Sequence, residues 1–122
     1  MADLRPKKME KKEKKYYAAS DCPVTAAIDV IGGKWKPVII YILMREPHRF
    51  GELHKCIPGM ALKVLSRQLK ELEQDEIVHR EVFAEVPPRV VYSLTERGRR
   101  LSPVIELLTE WSRENIMIPA GG

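Results

Sequence analysis

Two cysteines, Cys22 and Cys56, are all that the 122 residues contain. So few exclude a disulfide scaffold and fit thiols kept reduced in a cell interior. Metal-ligand spacing is missing as well. His54 and Cys56 lie close in the chain, but no C-x₂-C or H-x₃-H pair joins them, so neither a metal nor another cofactor is expected. Long hydrophobic runs are absent: the longest, Val38 to Met44, falls far short of the roughly 20 apolar residues that cross a bilayer. The lysine-rich start has no apolar stretch behind it and does not read as a signal peptide. A cytoplasmic protein with no membrane partner is expected. There is also no Gly-rich phosphate loop, nucleophile elbow or converging carboxylate pair, so the chain does not read as an enzyme.

What is present fills one domain. A hydrophobic content of 44% excludes wholesale disorder, and the length suits a single core rather than two. The net charge of +4 is unevenly placed. Residues 1 to 20 hold seven Lys/Arg against three Asp/Glu, whereas from Asp21 onward there are fourteen of each. The overall pI therefore says little about nucleic acid, and the positions of the charges in the folded part must carry that argument. Residues 1–20 read as a basic N-terminal tail, either a solvated flexible arm or one that adds phosphate contacts.

The chain is organised around residues 50 to 94. A helix is expected over about Ala61 to Glu73, with Leu62, Leu65, Leu69 and Leu72 on one arc and Lys63, Arg67 and Lys70 opposite. A shorter apolar pattern, Phe50, Leu53, Cys56 and Ile57, precedes it, and Pro58-Gly59 separates the two. Helix, tight turn and helix with a basic outer face make a helix-turn-helix. Strand-like runs follow at Ile77 to Phe83 and Arg89 to Leu94, split by Ala84 to Pro88, which reads as a hairpin wing. Asp75-Glu76 makes the turn into the wing, where glycine would be the natural second residue.

Two helices are expected upstream. One starts at Asp21-Cys22-Pro23 and carries Val24, Ala27, Ile28 and Ile31; the other spans about Lys34 to Arg45, with Trp35, Val38, Ile39, Ile42 and Leu43 inward. Both are expected to be mostly core. Downstream, Thr95 is the expected N-cap of a last helix with Leu101, Val104, Ile105, Leu108 and Trp111 on one stripe, kinked or broken at Pro103. The first and last helices hold more apolar surface than a small winged core covers, which predicts a symmetric homodimer with Trp111 buried against core or partner. The fold class is thus mainly α with a small β-hairpin wing, a dimeric winged helix-turn-helix over residues 21–118.

The candidate DNA-binding residues are Lys63, Ser66, Arg67 and Lys70 on the helix, with Arg67 nearest the middle of the face. Glu71, Glu73, Asp75 and Glu76 cluster at the helix C-terminus and would repel phosphate, leaving the N-terminal part to enter a groove. In the wing, Arg89 is the stronger candidate, and Arg80 is the weaker because Glu81 or Glu85 can pair with it. The alternative is a protein-interaction module whose same surface meets an acidic protein.

Cys22-Pro23-Val24, Ile31-Gly32-Gly33-Lys34-Trp35, Arg49-Phe50-Gly51-Glu52-Leu53, Ile57-Pro58-Gly59, Leu65 to Leu72 and Glu85 to Thr95 together resemble the HxlR-type family of bacterial and archaeal transcriptional regulators. The resemblance spans about Cys22 to Trp111. It implies a dimer that binds palindromic double-stranded operator DNA as repressor or activator, repressor being the reading favoured here, with an N-terminal cysteine that in some members senses oxidants or electrophiles. Cys22 is accordingly the candidate regulatory thiol, since a helix start lowers a thiol pKa. Cys56 is expected to be a packed small hydrophobe that oxidation could pair with Cys22 of the other subunit. Met60-Ala61-Leu62 stands where the family has a small polar residue early in the recognition helix, and Glu76 stands where it has a turn glycine.

Overall fold

The computed structural model describes Ala18 and residues 21–117. The proposed roles of the tail, Ala18 apart, lie outside the described residues.

The first helix, α1 (Pro23–Ile31), opens with Pro23 in its first turn and closes at Gly32. After Gly33, which takes a φ of +90°, α2 (Lys36–Leu43) runs through the centre of the domain. Its Ile39 and Ile40 are wholly buried. A two-residue strand, β1 (His48–Arg49), then leads into α3 (Phe50–Lys55) and α4 (Leu62–Gln74). The wing follows as β2 (Val78–Phe83) and β3 (Arg89–Leu94), and the chain ends in α5 (Glu96–Arg99) and α6 (Ser102–Asn115). The sheet is antiparallel in the order β1-β3-β2, with Val78 opposite Leu94 and Phe83 opposite Arg89.

The strand β1 has no signature in the sequence. It pairs His48 with Tyr92 and Arg49 with Val91, and two residues are too few to show alternation in sequence. The core lies between α2, α4 and the sheet: Leu53, Leu65, Leu69, Leu72, Val78 and Leu94 are buried with the two isoleucines. Each such side chain contributes about 1.5–3 kcal/mol by leaving water.

Glu76 resolves its turn by adopting φ +60°, the left-handed region. The surrounding bonds hold it there. Thr95 Oγ1 donates to the Glu76 carbonyl at 2.6 Å and accepts from the Gly98 N–H at 2.9 Å. A Cβ on Gly98 would run into the Ile77 carbonyl oxygen, so this close approach of backbone requires glycine. Thr95 therefore caps α5 rather than the long last helix, and the expected interruption near Pro103 is a full break, with Pro103 in the first turn of α6.

Two expectations about the core are corrected. In α1 only Ile31 is buried; Val24 is 69% and Ile28 51% exposed. Trp111 in α6 is 57% exposed, so it is not buried against its own core. Both stripes have the helical periodicity that sequence shows, but among the described residues only Ile31 of the first and Ile105 of the second are buried.

Candidate nucleic-acid interface

The helix-turn-helix is assembled from its turn outward. In α3 the Arg49 N–H donates to Glu52 Oε1 at 2.9 Å, closing the helix start, while Leu53 anchors the inner face. Gly59 takes φ +87° in the turn, and Ile57 and Met60 on either side of it are buried. His54 ties the turn down: its Nε2 lies 2.7 Å from the Met60 carbonyl oxygen, to which the ring N–H donates. In sequence His54 stands out only for its closeness to Cys56 as a possible metal-ligand pair. Its role here depends on the turn folding its side chain over residues six positions away.

The next helix, α4, starts at Ala61 without a side-chain cap. Leu65, Leu69 and Leu72 point into the core, and Lys63, Ser66, Arg67 and Lys70 are exposed on the outside. Leu62 departs from the expected arc. It is 56% exposed, because in the first turn the core has not yet closed over that side of the helix. Glu71 is also unlike its acidic neighbours: its Oε1 lies 2.7 Å from Nζ of Lys36 on α2. The hydrogen bond from Lys36, and then its charge, hold the Glu71 carboxyl below the usual carboxylate range. Lys36 is buried, although nothing in the sequence sets it apart from the nearby Lys34.

In the wing, Arg80 is exposed on β2, opposite Tyr92 of β3. Arg89 is held on two sides. Its Nη2 and Nε donate to Glu85 Oε2 at 2.9 and 3.2 Å, and its guanidinium lies 3.9 Å from the centre of the Phe83 ring. Glu85 thus pairs with Arg89 and not with Arg80. The same hydrogen bonds lower the Glu85 pKa and raise that of Arg89.

Of the two thiols, Cys22 occupies the N-cap of α1 and is half-buried. No formed cap hydrogen bond uses its side chain, yet the Thr25 backbone N–H, the Thr25 hydroxyl and the Val24 N–H favour its thiolate and lower its pKa. Cys56 corrects an expectation: it is exposed at the C-cap of α3, not packed in the core. The apolar spacing that suggested packing runs past the end of the helix, where Ile57 rather than Cys56 is buried.

A winged helix-turn-helix with a basic outer face on its second helix is the arrangement found in known regulators. The family model described as HxlR-like helix-turn-helix matches residues 30–119. This chain belongs to the HxlR-like family. The HTH-type transcriptional regulator YybR of Bacillus subtilis strain 168 is 45% identical over 107 residues, covering 88% of this chain and 86% of that protein. YodB, an HTH-type transcriptional regulator of the same organism, is 42% identical over 92 residues, covering 75% of this chain and 82% of YodB. Among solved structures, the reduced form of the redox regulator HypR gives a TM-score of 0.75 at 47% identity, covering 77% of this chain and 93% of that one. The reduced form of YodB gives 0.69 at 41%, covering 78% and 94%.

The HxlR-like chain is accordingly a DNA-binding transcriptional regulator of the winged-helix class, and its family is one of regulators rather than enzymes. No helix among its described residues is long and apolar enough to cross a membrane. Among the described residues, exposed large apolar side chains include Val24 and Ile28 on α1 and Val104, Leu107, Leu108 and Trp111 on α6, besides isolated ones such as Leu62 and Val86 between them.

Proposed function

We propose that this HxlR-like regulator binds a palindromic duplex operator as a homodimer and represses transcription, with α4 in the major groove and the wing on the flanking backbone or minor groove. The observation that carries this reading is the outer face of α4. Lys63, Ser66, Arg67 and Lys70 are all exposed there, and among the described residues none of them is taken up in an ion pair. Donors free on one exposed helix face suit base edges and phosphates. Arg67 sits at the centre and is assigned the base contact. Lys63 and Lys70 flank it toward phosphates, and Ser66 takes either. The uncapped start of α4 favours a phosphate near its first turn. Arg89 and Arg80 serve the wing.

The winged unit is assigned to residues 21–118, with α1 and α6 as dimerisation helices. Their exposed apolar stripes support this, since patches of this kind on a small domain mark a covered surface. Cys22 is assigned the regulatory role, with an oxidant or electrophile as effector. Its lowered pKa supports the assignment, and so does the resemblance to HypR and YodB, of which HypR is a redox regulator and YodB has been solved after diamide treatment. Modification there would act by moving α1 against the partner and so changing the separation of the two copies of α4. Cys56, being exposed, is the candidate resolving thiol.

The deciding experiment is anisotropy with operator and random duplexes over a salt series. A DNA reader shows a steep fall of affinity with salt and a clear preference for the palindrome. Weak, sequence-blind and salt-insensitive binding would favour the protein-interaction reading. Sedimentation as a monomer at micromolar concentration would remove the paired half-sites, spaced roughly 34–36 Å apart.

A further inference from the structure

Lys36 is the only charged side chain buried among the described residues. An ammonium is costly to take out of water unless a partner compensates it. The partner here comes from the reading helix. Lys36 Nζ lies 2.7 Å from Glu71 Oε1, with the lysine side chain 11% and the glutamate side chain 43% exposed. Lys36 stands in the first turn of α2, just before the buried Ile39 and Ile40, so it reaches α4 from the core side.

Glu71 has a second potential partner. It follows Arg67 by four residues on α4, the spacing at which opposite charges on a helix meet and pair. No such pair forms. Arg67 acts on Glu71 only as a nearby charge, behind the hydrogen bond from Lys36. This matters because a guanidinium with a bidentate carboxylate partner has two of its five donors occupied and its charge offset. It must break that pair before it grips a guanine edge through two parallel bonds.

We propose that Lys36 is a positioning residue for DNA reading: by holding the Glu71 carboxylate against α2, it leaves the Arg67 guanidinium unpaired and free to meet a base. The inference rests on the assignment of Arg67 to a base contact. It identifies a residue that touches no DNA yet decides whether the reading arginine is available.

The test uses Lys36→Met, which keeps the length and apolar stem of the side chain and leaves the half-exposed Glu71 able to reach solvent or Arg67. Specific binding should fall about ten-fold, the equivalent of one lost charge-assisted contact, while binding to random duplex changes much less. Lys36→Met with Glu71→Gln should recover nearly all of that loss, because an amide competes poorly for a guanidinium. In an Arg67→Ala background, Lys36→Met should have no further effect. A readout without DNA separates this idea from the base-contact assignment. In the free protein, the Arg67 Nε–H nitrogen-15 NMR signal should shift in Lys36→Met and return in the double variant. Failure of Glu71→Gln to rescue, a Lys36→Met loss that persists without Arg67, or an unmoved Arg67 signal would each overturn the proposal. If Arg67→Ala binds operator as wild type does while the signal moves as expected, the base contact is wrong but Lys36 still keeps Glu71 from Arg67.

Discussion

The outer face of α4 and the wing each carry an arginine proposed to meet DNA, and the two are held in opposite ways. Among the described residues Arg67 on α4 has no ion-pair partner, although Glu71 stands one turn away. Arg89 on β3 is gripped by Glu85 and stacked over Phe83. The difference lies in what surrounds the carboxylate. Behind α4 a buried lysine outcompetes the arginine, because only pairing offsets the cost of burying its charge. Beside the hairpin tip no buried cation among the described residues competes, and Arg49 acts on Glu85 only as a nearby charge, so Glu85 pairs with Arg89. One arginine is left unpaired among the described residues, and the other has its orientation fixed.

The comparison breaks most severely if the two faces of α4 are not independent. Leu69 is 1% exposed, so Leu69→Ala should cost about 2–5 kcal/mol of unfolding free energy, measured by urea melts. Arg67→Ala on the outer face should leave the melt nearly unchanged. The same Arg67→Ala variant should lose about 1–3 kcal/mol of binding on operator and far less on random duplex. Equal losses on both would move Arg67 to the phosphate backbone.

A parallel contrast holds for the thiols, one at a helix start and the other at a helix end. Diamide or a quinone should change operator affinity of the wild type and not of Cys22→Ser. An equal response from the serine variant would remove Cys22 as the switch. Alkylation of Cys22 should reach half its maximal rate at a pH below that of an ordinary thiol, about 8.5.

The smallest effects belong to the wing. Glu85→Gln releases Arg89, and if Arg89 meets a phosphate the salt slope of binding should steepen by no more than about 1. An unchanged slope would leave Arg89 as a brace for the hairpin. The Glu85 carboxyl pKa is lowered in the fold, so the pair stabilises the protein above the ordinary glutamate pKa of about 4.3. That contribution disappears as pH falls through the lowered folded value. The stability difference between wild type and Glu85→Gln should therefore close on acidification.

What the sequence determined by itself is periodicity and punctuation. Leu65, Leu69 and Leu72 recur at helical spacing and lie inside; Pro58-Gly59 marks the turn, and Arg89 to Leu94 forms a wing strand with the bounds its residues suggest. These features are local, set by the geometry of one helix or one strand, and so they can be read from neighbours in the chain. Partnership was decided only by the tertiary structure. The Lys36 to Glu71 bond spans 35 positions, β1 pairs with a strand more than 40 residues on, and His54 closes a turn that must fold first. Cys56 and Leu62 fit an apolar pattern and still face solvent, because a pattern tells which side of a helix is apolar but not where the neighbouring element stops covering it. Charge follows the same rule. Glu71 and Glu85 look alike in sequence, and their roles diverge because a buried cation reaches one and a hairpin arginine reaches the other.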